Sequence, residues 1–395
     1  MKLYPTRRSV VAGIAGSAVA GFAARAQTIP PMPKSPVTLT IIDVAGNLAL
    51  TQEALENYRK KNPKLVSRIN FTKATAPELA GKLKAQQAAN RLDIDLVLTG
   101  IDALAAGIDQ KLWLPVDALM EKKSPGFAKK YNVGAGKMHA LGEGQGITVV
   151  SCPGGPIFQY NPAKLKTPPA TAEELLAWAK ANPKRFIYAR PANSGPGRTF
   201  LQGLPYILGD KDPKDPLKGW DKTWAYLKEL DTTVEYYVGA TTPTMKELAE
   251  GSRDMIPTMT GWDINPRALG VVPKEVEVFM VKNTRWITDA HYMAIPKGVA
   301  DDKVAVLLDL MAFMLEPQQQ AITYDKGYFY PGPAVANVPL SMAPAESQAV
   351  IKEFGRPQYE KWIADVPHEI SLPPTAMVAA FRRWDQEIGA AKEKK

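Results

Sequence analysis

The chain is predicted to be an α/β protein built from two units. Three observations predict this. Short apolar, β-branched runs alternate with amphipathic helical stretches from Val37 to Leu98, the pattern of a parallel sheet with helical crossovers. The alternation resumes after Tyr160-Asn161-Pro162. At 395 residues the chain is also too long for one hydrophobic core.

Composition narrows the class. Hydrophobic residues make up 45% and charged residues 23%, the balance of a globular protein rather than a disordered one. The single cysteine, Cys152, excludes an intramolecular disulfide. His139, His291 and His368 have no metal-ligand spacing, so neither a metal nor another cofactor is expected. The formal charge is +9. Without residues 1–26, which carry Lys2, Arg7, Arg8, Arg25 and no acid, 45 bases face 40 acids. That mild surplus gives no reason to expect a nucleic-acid partner.

The N-terminus reads as an export signal. Thr6-Arg7-Arg8 is followed by a Gly/Ala-rich apolar stretch, Val10 to Ala24, and by Ala24-Arg25-Ala26. A charged head, an apolar middle and a small-residue exit define a signal peptide cleaved after Ala26. The arginine pair resembles a twin-arginine signal, although the usual Phe-Leu-Lys is missing. No later run is long and apolar enough to span a bilayer. The mature chain is expected in the periplasm.

In the first unit, Val37–Ile42 reads as a buried strand, Val66–Phe71 as a second strand and Ile94–Leu98 as a third. A helix with Ala54, Leu55 and Tyr58 on one face stops at Asn62-Pro63, and a second runs from Glu78 to Asn90. In the second unit, Thr171 and Glu174 form a capping box ahead of Leu175, Leu176 and Trp178. Phe186–Ala189 reads as a short strand, and the loop Arg190–Arg198 opens a helix. Helices are expected at Trp220–Leu230 and Thr244–Glu250, a strand and loop at Asp254–Thr260, and a strand at Val276–Val281. A long apolar helix follows at Asp302–Leu315, and two more close the chain around Glu346–Phe354 and Ala376–Ala391.

Ligands of such sheets bind beyond the carboxyl ends of the strands. That rule selects Asn47, Thr99 and Asp102, although Asn47 and Asp102 are also ordinary helix caps. The glycine-rich loop from Asn193 to Arg198 suits a carboxylate or phosphate at a helix N-terminus, with Arg190 or Arg198 as counter-charge. A tight turn with solvated arginines explains it equally. Thr260, Trp262 and Asp263 follow the Met255 strand. An indole beside a carboxylate suits a cationic amine, so the sign of the ligand's charge stays open.

The whole succession resembles the extracellular solute-binding proteins of ABC importers, and more narrowly the branch that binds polyamines, iron or thiamine-like solutes. The resemblance rests on the Val37 strand, Asp93–Leu98 with Thr99-Gly100, Tyr160-Asn161-Pro162 and Pro168-Pro169-Ala170-Thr171. It continues through Tyr292–Pro296, Glu316-Pro317-Gln318-Gln319-Gln320 and Gly327-Tyr328. It implies the type II periplasmic-binding-protein fold, two α/β lobes joined by two crossover segments. Lobe 1 would comprise residues 37–157 and 290–395, and lobe 2 residues 160–288. It further implies a monomer without catalysis that captures a small-molecule solute for a permease and ATPase complex in the inner membrane. Tyr160, Tyr292, Tyr328 and Tyr330 would line the cleft. Two alternatives remain at this stage. One is a ferric-iron receptor using tyrosine phenolates. The other is a cleft enzyme using Cys152 as nucleophile.

Overall fold

The computed structural model describes residues 28–390 and Lys392; the export segment, residues 1–26, lies outside the described residues. Strands β1 (Val37–Asp43), β2 (Val66–Lys73), β3 (Leu96–Gly100) and β4 (Ile147–Gly155) come first. Then follow β5 (Ile157–Tyr160), β6 (Met255–Thr258), β7 (Glu277–Phe279), β8 (Trp286–Ala294), β9 (Gly332–Pro333) and β10 (His368–Ile370). They form two sheets. The seven-stranded sheet has the order β2-β1-β3-β8-β4-β9, with β10 on β8. The smaller sheet has the order β6-β5-β7. The chain therefore leaves the large sheet at Pro156 and returns to it between Phe279 and Trp286.

The expected first strands pair in parallel, with Ile41 opposite both Phe71 and Leu96. Both faces of this sheet are covered. Leu39, Ile41, Leu96 and Leu98 pack on one side with the helix Asp301–Met314. Ile42 and Val97 pack on the other with Leu79, Leu83 and Leu104. A strand buried on both faces needs a near-continuous apolar run, which is why Ile94–Leu98 was legible; the edge strand β2 is half-exposed and keeps only intermittent apolar positions.

The centre of the sheet is less regular. β8 runs antiparallel between β3 and β4, placing Tyr292 opposite Thr99 and Asp289 opposite Cys152. The β4–β8 ladder shifts register between Cys152 and Gly155. There Gly154 takes φ +89°, and an added Cβ would stand 1.9 Å from the carbonyl oxygen of Ile287. Gly154→Ala is expected to cost about 3 kcal/mol, read by urea denaturation, because strain and a backbone clash coincide.

The smaller sheet is antiparallel throughout. The expected strand Phe186–Ala189 is reduced to one parallel bridge, Phe186 to Met255. The chain then diverges, and Arg190 donates its N–H to Val238 instead. The C-terminal helix Pro374–Trp384 packs on the helix Ile101–Asp109. It also reaches the second unit, where Trp384 Nε1 donates to Tyr188 Oη at 3.0 Å. Among the described residues no helix is long and apolar enough to cross a membrane.

Candidate functional site

A cavity of about 450 Å³ opens between the two units. Its walls from the large sheet are the turns that leave the carboxyl ends of the parallel strands. Val44–Gly46 follows β1, Lys73–Thr75 follows β2, and Gly100 with Asp102 follows β3. Asp289 and His291 project from β8, and Phe329 comes from the loop ahead of β9. Facing them are Asn193–Gly195 and Arg198, the turn Ala240–Thr242, and Trp262.

Local chemistry builds each wall. The Asp43 carboxylate accepts the N–H groups of Ala45 at 3.2 Å, Asn47 at 2.9 Å and Leu48 at 3.3 Å, shaping the turn into the helix Leu48–Lys61. Burial raises the pKa of Asp43, and these donors only partly counter it. Glu78 accepts the Thr75 N–H at 3.0 Å and closes the start of the helix Ala76–Ala88. Opposite, Ser194 Oγ accepts from Gly197 N–H at 3.1 Å and caps the helix Gly195–Ile207. The same Oγ lies 2.8 Å from Thr241 Oγ1, tying this cap to the helix Thr241–Ala249. Asn193 accepts the Ala76 N–H at 3.4 Å and donates to Gly239 O at 2.9 Å, so it bridges the two walls.

Arg198 is the electrostatic centre. Its side chain is 3% exposed. It donates to Asp102 Oδ2 at 2.8 Å and to Asp289 Oδ2 at 2.6 Å. Burial pulls its pKa down, but the two carboxylates outweigh burial and hold the guanidinium charged. His291 beside it is pushed down to about 3, first by burial. Its imidazole is therefore neutral at any physiological pH. Its ring packs on Phe329 with centroids 4.1 Å apart. Phe329 holds φ +56°, a left-handed conformation rare for a bulky residue. It is pinned there by an N–H bond of 3.0 Å to Gly261 O, and a Cβ on Gly261 would come within 2.8 Å of Phe329 Cα.

Of the residues selected from the sequence, Asp102, Asn193, Arg198 and Trp262 meet in this cavity. Four others lie just behind it. Asn47 is buried and accepts from Thr51 Oγ1 at 2.7 Å. Thr99 donates to Gly100 O at 3.0 Å, and Thr260 donates to Tyr330 O at 2.9 Å. Tyr328 meets the Trp262 ring edge-on, with centroids 5.2 Å apart.

The remaining five are placed elsewhere. Arg190 turns outward to Asp385 at 2.8 Å and Gly389 O at 3.1 Å, so it is no counter-charge for the cavity. Asp263 has no exposure and accepts from Arg356, Arg267, Tyr359 and Gln159, so it cannot face a cation in the cleft. Tyr292 is buried with its hydroxyl on Met138 O at 2.8 Å. Tyr160 packs edge-on with Phe279, and Tyr330 stacks on Tyr359. In each case the side chain found a partner distant in the chain that sequence spacing does not reveal.

Sequence reasoning missed Asp289, Phe329, Lys73 and Thr241 as lining residues. Asp289 carried a signal, an acid inside the apolar run Trp286–Ala294. A buried acid in a strand requires a partner, and here that partner is Arg198. Cys152 is 2% exposed, and burial raises its thiol well above the usual range, which disfavours the nucleophilic thiolate.

Two sheets, two adjacent chain crossings and a polar cavity at the strand ends define the type II periplasmic-binding fold, a class of proteins that enclose a solute. The chain belongs to the family of bacterial extracellular solute-binding proteins, whose sequence profile matches residues 53–352. It is a family of binding proteins, not of enzymes. Comparison with curated proteins finds no match. Among solved structures, the fold is similar to a periplasmic thiamin binding protein, with 16% identity and a TM-score of 0.64 over 92% of this chain and 100% of that one. It is also similar to a putative spermidine/putrescine ABC transporter protein from Listeria monocytogenes, with 15% identity and a TM-score of 0.60 over 89% and 98%. A third is the apo ferric ion-binding protein A of Pasteurella haemolytica, with 14% identity and a TM-score of 0.61 over 89% and 97%.

Proposed function

We propose that this protein is the periplasmic receptor of an ABC importer. It captures a small polar organic solute in the cavity between its two units and hands it to a membrane permease and ATPase complex. The first lobe would be residues 37–157 and 290–395 and the second residues 160–288, with the Pro374–Trp384 helix touching both. The twin-arginine-like N-terminus supports export to the periplasm, and a monomer suffices for this role.

One observation carries the reading. The cavity is walled from both sides, and Arg198 on one wall is ion-paired with Asp102 on the other. A site assembled from two units lets a solute favour their closed arrangement, which is what a receptor must signal to its permease. The iron reading needs phenolates together. Tyr328 packs on Trp262 while Tyr330 stacks on Tyr359, and that separation does not support it.

A thermal-shift screen tests the proposal, with polyamines, thiamine-like cations, amino acids, small carboxylates, phosphonates and ferric iron as probes. A cognate solute at a hundred times its Kd is expected to add about 2.7 kcal/mol of stability. Silence across every class of probe would remove the receptor reading.

A further inference from the structure

We propose that the solute carries an oxyanion, a carboxylate or a phosphate, seated where the helices Gly195–Ile207 and Thr241–Ala249 begin and opposite Lys73. This rests on the receptor reading above and assigns the charge that the sequence left open.

The argument is an inventory of what the cavity still offers. Its acids are already engaged. Asp102 gives Oδ2 to Arg198 and accepts from Ala103 N–H at 2.9 Å through Oδ1. Asp289 does the same, with Arg198 on Oδ2 and Ala290 N–H on Oδ1 at 2.9 Å. An incoming cation would have to share carboxylates that already hold a buried guanidinium, each oxygen accepting one hydrogen bond. The acceptors of this wall are therefore already engaged.

The donors are not. Arg198 Nε is buried without an acceptor, and on a residue only 3% exposed such an N–H is costly unless a ligand completes it. Lys73 lines the cavity, and its ammonium makes no ion pair or hydrogen bond among the described residues, although its charge acts on Asp43. The Trp262 indole N–H also has no acceptor among them.

Two helix starts reinforce the same polarity. No side chain caps the nine-residue helix Thr241–Ala249 at Ala240, so its first N–H groups are not taken by a cap. The helix Gly195–Ile207 begins beside it, joined through Ser194 and Thr241. Both ends carry partial positive charge toward the cavity. Among the lining residues Arg198 and Lys73 balance Asp102 and Asp289 in formal charge; Asp43, which feels the Lys73 charge, has its ionised form disfavoured by burial, and the helix ends and idle donors favour an anion.

Isothermal titration of the full chain at low salt tests this, with glutarate, inorganic phosphate and putrescine as probes. The expected result is binding of glutarate, phosphate or both, weakened by added salt, and no binding of putrescine. Glutarate alone assigns a carboxylate, and phosphate alone assigns a phosphate. Lys73→Met, at an exposed position, is expected to weaken the anion about fivefold, because a solvated charge contributes modestly. Unchanged affinity in that variant overturns the placement. Putrescine binding without either anion overturns the inference while leaving the receptor reading intact. Heat from none of the three also overturns it, and the wider screen then decides the receptor reading separately.

Discussion

Asp263→Ala is expected to destabilise the protein by about 3–5 kcal/mol, the cost of removing one partner from a buried ion cluster. The carboxylate is fully buried. Arg356 reaches it from Nε at 2.9 Å and from its terminal nitrogen at 3.0 Å. Arg267 adds contacts of 3.2 and 3.1 Å, Tyr359 a hydroxyl at 2.7 Å and Gln159 an amide at 3.0 Å. Alanine would leave two buried guanidiniums without their shared counter-charge. Chemical denaturation of the variant against the parent reads the loss. A change under about 1 kcal/mol would show that the arginines find other acceptors and that the cluster is not a keystone.

The same group gives a pH dependence. Burial alone would raise the Asp263 pKa, but hydrogen bonds from Arg356 and the charges of Arg356 and Arg267 lower it from 3.8 to about 2. A depressed carboxylate stabilises the fold above its unfolded pKa, and that stability is lost as pH falls through the folded value. The window therefore runs from about pH 4 down to about pH 2, with about 2 kcal/mol at stake. Asp263→Asn removes the titration. The stability gap between parent and variant is expected to narrow across that window and to stay constant above it.

Arg198→Met is the second large effect, again about 3–5 kcal/mol. It strands Asp289, whose side chain is 1% exposed, and Asp102, 11% exposed. The diagnostic measurement is the triple variant Arg198→Met, Asp102→Asn, Asp289→Asn. Stability is expected to return most of the way toward the parent, because the penalty lies in unpaired charge rather than in lost packing. A triple variant as unstable as the single one would mean that Arg198 acts chiefly through its stem. Solute affinity is expected to fall in both variants, since Arg198 lines the cavity and ties its two walls together through Asp102.

The structure divides the candidate site along a physical line. Asp102 was legible because a residue just past a parallel strand must emerge at the carboxyl edge, whatever the rest of the chain does. Asn193 and Arg198 were legible because Asn193-Ser194-Gly195-Pro196-Gly197 can only be a turn into a helix. Trp262 followed from the end of the Met255 strand. Asp263, one residue further, was misread: an acid beside an indole looks the same in sequence whether it faces solvent or Arg356, and Arg356 is 93 residues away. Arg190 failed for the same reason, since its partner Asp385 lies 195 residues along the chain.

β8 shows the other limit. Trp286–Ala294 is the middle strand of the large sheet, yet Asp289 and His291 interrupt its apolar run and hide it from a hydropathy reading. Only the arrival of Arg198 at 2.6 Å makes a buried aspartate tolerable there. Sequence alone thus determined the α/β class, the parallel core of β1, β2 and β3, and the turns that reach the cleft, because those depend on local periodicity and on strand direction. Tertiary structure decided which charges pair with one another and which polar groups are left without a partner, because that balance is struck between side chains brought together only when the chain folds.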